Sequence, residues 1–136
     1  MAKKKLSLKE LEAKAAQEEE LRVKELAEKE AVKRYTAEQL KKWQSENDGI
    51  WFLPFLTEDG KSIDKMLVLK SVDRNVLSFA MTKMEDEGMY GFLESAMREH
   101  TLDGDAEIFE DEDLFLGASK VFQKAMEGRK AFMLKR

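Results

Sequence analysis

The sequence predicts a mainly helical α+β protein in which one β-hairpin, over about residues 50–70, is packed by three or four helices. The stretch 50–70 is the most apolar and aromatic passage of the chain, and an Asp59-Gly60 turn signal divides it into two strand-like runs. Apolar residues recur at helical spacing on both sides of it. A single proline among 136 residues imposes few breaks, which favours helix.

The first 48 residues differ in composition from the remainder. They contain no Gly or Pro, twelve Lys/Arg and eleven Asp/Glu, and they are rich in strong helix formers. Large apolar residues are sparse and no heptad pattern is sustained, so little of this helix should be buried against its own domain. We therefore expect a charged helical arm over 1–48, which projects, frays in solution or gains order on a partner, and a small α+β globular domain over 49–136.

Two capping boxes set the helix starts in the arm. Ser7 with Glu10 predicts a helix from about residue 8, and Thr36 with Gln39 predicts a second helix that ends at Glu46.

The hairpin should be covered on both faces, because alternate residues of its first strand, from Ile50 to Leu56, are apolar on each side. Pro54 lacks an N–H group, which places this strand at a sheet edge or a bulge. The return strand is predicted over Met66–Leu69. A turn over 102–104 is expected further along the chain.

The other elements of the domain are helices and their breaks. A helix should begin with Ser71 or Asp73 as its N-cap, break near Gly88 and resume as far as His100. After a loop whose Ile108 and Phe109 fold inward, a last helix should follow an acidic cap over 110–113.

Composition argues against most site chemistries, so we predict no catalytic, cofactor or metal residues and no enzyme. The chain has no cysteine, and its one histidine, His100, is expected to be structural or on the surface. The stretch Asp103–Glu107 resembles the start of a calcium loop, but the required glycine is replaced by Ile108 and the required glutamate by Leu114.

Charge and hydropathy bound the partners and the compartment. A net charge of −4 makes nucleic acid an unlikely partner, and Lys3, Lys4 and Lys5 are expected to form a solvated tip. No apolar run is long enough for a membrane span, so a soluble, cytoplasmic protein is expected.

Partner binding is the remaining functional class, and it would fall to apolar residues of the arm and the first strand. For Trp43, Trp51 and Phe52 the core is the favoured location of each and an exposed interface cluster is the alternative. The candidate partner-binding residues are Leu11, Leu21, Leu26, Trp43, Trp51 and Phe52.

Residues 50–136 carry a series of short patterns in a fixed order. They are a T-E-D-G-K turn at Thr57–Lys61, a K-x-x-D-R-x-x-L-S-x-A-M helix start at Lys70–Met81, an L-x-G-D-x-E-I stretch at Leu102–Ile108 and a D-E-D-L-F-L-x-A helix at Asp111–Ala118. In these patterns and their order the segment resembles small proteins encoded among the head and tail genes of tailed bacteriophages, some of them tail-assembly-chaperone-like.

The resemblance implies a non-enzymatic phage structural or assembly protein, either a virion component or a tail-assembly chaperone. Its partners would be other phage structural proteins, and it would form a homo-oligomer or part of a larger assembly in the virion or the host cytoplasm. The 48-residue extension is not part of the pattern and suggests an added docking function. The alternative is a cytoplasmic adaptor or regulatory module with a coiled-coil arm.

Overall fold

The first helix, α1, spans Leu8–Glu46 in the computed structural model, which describes residues 7–129 and 131–136. Ser7 Oγ accepts a hydrogen bond from the Glu10 amide at 3.1 Å, as the first capping box predicts. The helix bends at Thr36, where φ is 67° and ψ is 153°. Thr36 Oγ1 accepts a hydrogen bond from the Gln39 amide at 3.3 Å, so the second capping box starts a new helical segment. The lysines at positions 3 to 5 lie outside the described residues.

The other elements follow the predicted order, with one additional strand and one additional short helix, and the return strand is longer than the predicted Met66–Leu69. They are β1 (Ile50–Leu56), β2 (Ile63–Lys70), α2 (Arg74–Ala80), a 3₁₀ turn (Met81–Lys83), α3 (Met84–His100), β3 (Thr101–Gly104), α4 (Glu107–Glu110) and α5 (Glu112–Ala125). The mainly helical α+β class is confirmed. No helix in the described part of the chain has an apolar stretch long enough to cross a bilayer.

The sheet is antiparallel with the order β1-β2-β3, so β2 is central and β1 is an edge strand. Pro54 pairs with Met66 across the hairpin, and its edge position is confirmed. The predicted turn over 102–104 is wrong, because Thr101 to Gly104 form a strand that pairs with β2. Sequence patterns favour a turn at this short Asp-Gly stretch, whereas the open side of β2 supplies the pairing that makes it a strand.

Helices cover both faces of the sheet, as the two apolar faces of β1 predict. On one face Leu53, Leu67 and Leu69 pack against α3 and α5. On the other, Met66 and Val68 pack against Ala27 and Ala31 of α1. The expectation that α1 buries little against its own domain is therefore wrong for this part of the helix. The reason is that alanines let the helix backbone approach the sheet closely. The prediction is based on large apolar side chains, which are sparse in this helix.

N-caps start two of the remaining helices, and a glycine interrupts a third, where the sequence predicts. Asp73, not Ser71, caps α2 by accepting hydrogen bonds from the amides of Asn75 and Val76. Gly88, with φ of 73°, interrupts α3. Asp111 Oδ1 accepts a hydrogen bond from the Leu114 amide at the start of α5. The sequence predicts a loop before α5, but this stretch contains the short helix α4. Ile108 of this stretch is buried, as expected.

Candidate protein-docking surface

Polar contacts anchor the middle of α1 to the sheet. Asp105 Oδ2 accepts hydrogen bonds from Arg34 Nη1 at 2.8 Å and from the Met66 amide at 2.9 Å. Arg34 Nε also donates to Glu30 Oε1 at 2.9 Å on the same helix. Nearer the start of α1, Arg22 Nη1 donates to the Gly60 carbonyl in the hairpin turn at 2.6 Å. These contacts fix α1 on the sheet from Arg22 onward.

The Arg34–Asp105 pair is partly desolvated, and its hydrogen bonds outweigh that cost. Burial alone would lower the pKa of Arg34, but the hydrogen bonds to Asp105 and Glu30 and their charges raise it. Burial alone would raise the pKa of Asp105, but the hydrogen bonds from Arg34 and Met66 and the charges of Arg34 and Lys65 lower it. Both groups are therefore held in their charged forms.

The first half of α1 presents apolar side chains to solvent. Every residue from Ser7 to Arg22 is exposed. The side chains of Leu11 and Leu21 have exposed fractions of 48% and 62%. At 1.5 Å per residue, the 14 residues from Leu8 to Leu21 extend over roughly 21 Å. An exposed helix of this length is marginal in water and gains stability when a partner covers its leucines.

A groove of about 970 Å³ runs between α1 and β1. One wall is a face of α1 that carries Ala16, Val23 two turns later and Ala27 one turn after that. The floor is formed by β1 from Ile50 to Phe52 and by Pro54. The groove therefore combines an apolar helix face with an edge strand of the sheet.

Charged residues of α1 rim this groove. Glu19, Glu20 and Glu28 line it together with a single basic residue, Lys24. The groove thus carries an excess of negative charge beside its apolar floor, which favours a ligand segment that is both apolar and basic.

Past the bend at Thr36, Leu40 and Gln44 complete the lining of the groove. Val32, which lies before the bend, is also part of the lining. The two segments of α1 therefore contribute to the same surface from either side of Thr36.

The outer side of β1 is suited to strand addition. Proline cannot donate to a β-ladder, so Pro54 is tolerated where its nitrogen faces away from β2. In an antiparallel strand the backbone groups of alternate residues point to the same side, so those of Phe52 share the open side with Pro54. Trp51 stands beside them with 63% of its side chain exposed, and its indole N–H donates to Ser71 Oγ at 3.3 Å.

The structure distributes the six predicted partner-binding residues over three environments. Leu11 and Leu21 lie on the exposed half of α1, and Trp51 and Phe52 line the groove. The core location favoured for Trp51 is wrong, because the residue lies on an edge strand with most of its side chain exposed. Leu26 and Trp43 are partly buried against the α1 side of the sheet.

The ring of Trp43 also packs edge-on against Tyr35, with centroids 5.0 Å apart.

Sequence reasoning missed Val23 and Glu20 as groove residues, because only the docking of α1 on the sheet brings them to β1.

His100 has a structural role, as predicted. It is buried, its Nε2 accepts a hydrogen bond from the Asp73 amide at 2.9 Å, and its Nδ1 lies 2.7 Å from the Ala96 carbonyl, to which it donates. Both ring nitrogens are thus in use, and the ring lies against Phe122 with centroids 5.6 Å apart. His100 joins the start of α2 to the end of α3 and offers no free nitrogen for chemistry.

The acidic stretch Asp103–Glu107 is used internally. Asp105 binds Arg34 and the Met66 amide, and Asp103 Oδ1 accepts a hydrogen bond from the Gly104 amide. Across residues 7–129 and 131–136, no group of three or more His, Cys, Asp or Glu side chains is arranged to hold a metal ion.

Comparisons of the chain with profiles of known protein families, with characterised proteins and with solved structures find no match. A functional proposal therefore depends on the geometry of the docking surface and on the resemblance carried by residues 50–136. What the geometry offers chemically is a surface for binding, with an apolar helix face, an open strand and an acidic rim.

Proposed function

We propose that the chain is a non-enzymatic bacteriophage structural or assembly protein, a virion component or a tail-assembly chaperone, which acts by docking onto other phage structural proteins. The observation that carries this proposal is the exposed first half of α1, which presents Leu11 and Leu21 to solvent. The resemblance of residues 50–136 to proteins of the head and tail gene region supports the phage context.

The docking mechanism follows from the contrast between the two parts of α1. The part after Arg22 is held by buried alanines and by the Arg34–Asp105 pair, so it keeps the helix axis fixed on the sheet. The part before it is exposed, so a groove of a partner can cover its leucines. The groove along β1, with Trp51 and Phe52, is a second surface on which a segment of another chain can dock.

The internal use of His100 supports a binding role over catalysis. Its nitrogens serve the backbone of Asp73 and Ala96, which leaves it unsuited to act as a general base.

Site-specific photo-crosslinking during a productive infection tests this function. A photoreactive residue at Leu11 or Leu21 should give adducts with a phage structural protein, and the chain should be found in purified virions or in assembly intermediates by mass spectrometry. The matched control positions are Leu26, which is partly buried against the sheet, and Val121, which is exposed on α5. Absence of the chain from particles and intermediates, with no adducts from Leu11 or Leu21, would overturn the proposal in favour of a cytoplasmic adaptor.

A further inference from the structure

A short segment of the chain matches the groove in hydropathy and is opposite to it in charge. Residues 129–136, R-K-A-F-M-L-K-R, place four apolar residues between two pairs of basic residues. The segment follows α5, and its residues from Ala131 onward are not helical. The side chains of Met133 and Leu134 are 100% and 86% exposed. Adjacent large apolar side chains this exposed mark a site of interaction.

Charge complementarity relates this segment to the groove. The side chains of residues 129–136 carry four positive charges. The groove presents Glu19, Glu20 and Glu28 against the single basic side chain of Lys24. Its apolar floor would receive the central residues of the segment, while the acidic rim would face the basic flanks.

The dimensions also agree. An extended segment of eight residues spans roughly 26 Å, and the seven residues of β1 span roughly 23 Å, at about 3.3 Å per residue. A strand added at the outer side of β1 would direct alternate side chains of the segment to the same side, so that Met133 and Ala131 face one way and Leu134 the other.

The origin of the segment favours a second copy as its source. α5 packs through Ala118 and Phe122 on the face of the sheet opposite to α1, whereas α1 forms a wall of the groove. None of residues 131–136 lines the groove of its own chain.

We propose that residues 129–136 of a second copy occupy the groove and add a strand to β1, and that the exchange is reciprocal in a two-fold symmetric dimer. Each copy supplies one segment and one groove, so the contact closes without further growth. This inference rests on the proposed function in so far as it takes the groove to be a docking surface, and it names the occupant.

Charge exchange between two variants of the full chain tests the proposal. The wild type should dimerise in sedimentation equilibrium. A groove variant (Glu20→Lys with Glu28→Lys) and a segment variant with all four basic residues reversed (Arg129→Glu, Lys130→Glu, Lys135→Glu and Arg136→Glu) should each dissociate at least about tenfold more readily, because like charges meet in each homodimer. An equimolar mixture of the two variants should restore the dimer, because each segment then meets a groove of opposite charge. Restored pairing also shows that both variants are folded.

A control pair on the same helix, Glu18→Lys with Glu25→Lys, changes the net charge by the same amount as the groove variant. Both positions are exposed and lie outside the groove, so this control should leave the dimer intact. In a Trp43→Phe background the fluorescence of Trp51 should shift to shorter wavelength as the dimer forms, since the indole becomes covered.

Three results would overturn the proposal. The first is a wild type that stays monomeric up to about 200 µM. The second is a dimer that neither charge variant weakens. The third is a monomer whose Trp51 emission changes when Met133→Asp and Leu134→Asp are introduced, because that change would show that the segment binds its own groove. The experiments distinguish a failure of the proposed function from a failure of the dimer proposal. Loss of the dimer with crosslinks from Leu11 and Leu21 retained removes only the inference, and a dimer without those crosslinks removes only the phage docking role.

Discussion

Replacing Asp105 with alanine should destabilise the protein by about 2–4 kcal/mol, because this one side chain holds both α1 and the sheet. Its Oδ2 accepts from Arg34 Nη1 at 2.8 Å and from the Met66 amide at 2.9 Å. The contact with Arg34 joins residues 71 positions apart, and the contact with Met66 joins residues 39 apart.

The magnitude follows from the two contacts taken separately. Met66 is buried, and an amide left without an acceptor there costs about 1–3 kcal/mol. The side chains of Arg34 and Asp105 are 24% and 31% exposed, so solvent screens the ion pair and limits its contribution to about 1 kcal/mol.

Urea denaturation followed by circular dichroism measures the change in the free energy of unfolding. Asp64→Ala, an exposed carboxylate on β2, is the matched control and should change stability by less than about 0.5 kcal/mol. Asp105→Asn keeps an oxygen for the Met66 amide and should cost about 1 kcal/mol, the share of the ion pair. The reasoning is refuted if Asp105→Ala unfolds at the same urea concentration as the wild type, or if Asp105→Asn costs as much as Asp105→Ala.

The same carboxylate sets a dependence of stability on pH. Burial opposes ionisation of Asp105, but the hydrogen bonds from Arg34 and Met66 more than compensate, so its pKa in the folded protein lies below its ordinary value. Its stabilising contribution is therefore complete above the unfolded pKa of about 3.9 and is lost as the pH falls through the lower folded pKa. The difference in unfolding free energy between wild type and Asp105→Asn should accordingly narrow below about pH 4.

Three further substitutions probe the packing. Gly104→Ala should cost about 3 kcal/mol in urea denaturation, because φ is +152° and a Cβ would lie 2.5 Å from the Met66 carbonyl oxygen; a cost below about 1 kcal/mol would contradict this close approach. Ala31→Leu should cost about 1–3 kcal/mol and speed amide exchange in α1, because no space separates this buried alanine from the sheet; unchanged exchange would show that α1 is not held there. His100→Ala should lower stability by about 3 kcal/mol, since the Asp73 amide loses its acceptor and a cavity opens beside Phe122; a thermal midpoint equal to that of the wild type would count against the structural role of the ring.

The sequence carries enough information to place the hairpin and most helix starts, because these depend on local signals. Alternating apolar residues marked both faces of β1, Pro54 marked its edge, and the hydroxyls of Ser7 and Thr36 marked two helix starts. Each of these features is decided within a few residues, where turn chemistry and capping leave few alternatives.

The features that sequence reasoning missed depend on contacts between distant residues. Thr101–Gly104 is a strand only because β2 offers it a pairing edge. The docking of α1 depends on Ala27 and Ala31, whose small size is what allows the close contact but gives no strong hydrophobic signal. The acidic rim of the groove exists only because α1 lies beside β1. In the sequence the same glutamates are typical of a solvated helix face.

The backbone of Thr36 has a consequence for the shape of the groove. Its φ of 67° with ψ of 153° lies in a region that residues other than glycine rarely adopt, so packing on both sides of the bend must hold it there. Val32 lines the groove just before this residue and Leu40 just after it. The spacing between those two side chains, and with it the width of the opening available to a guest strand, is therefore governed by the torsion angles of a single threonine.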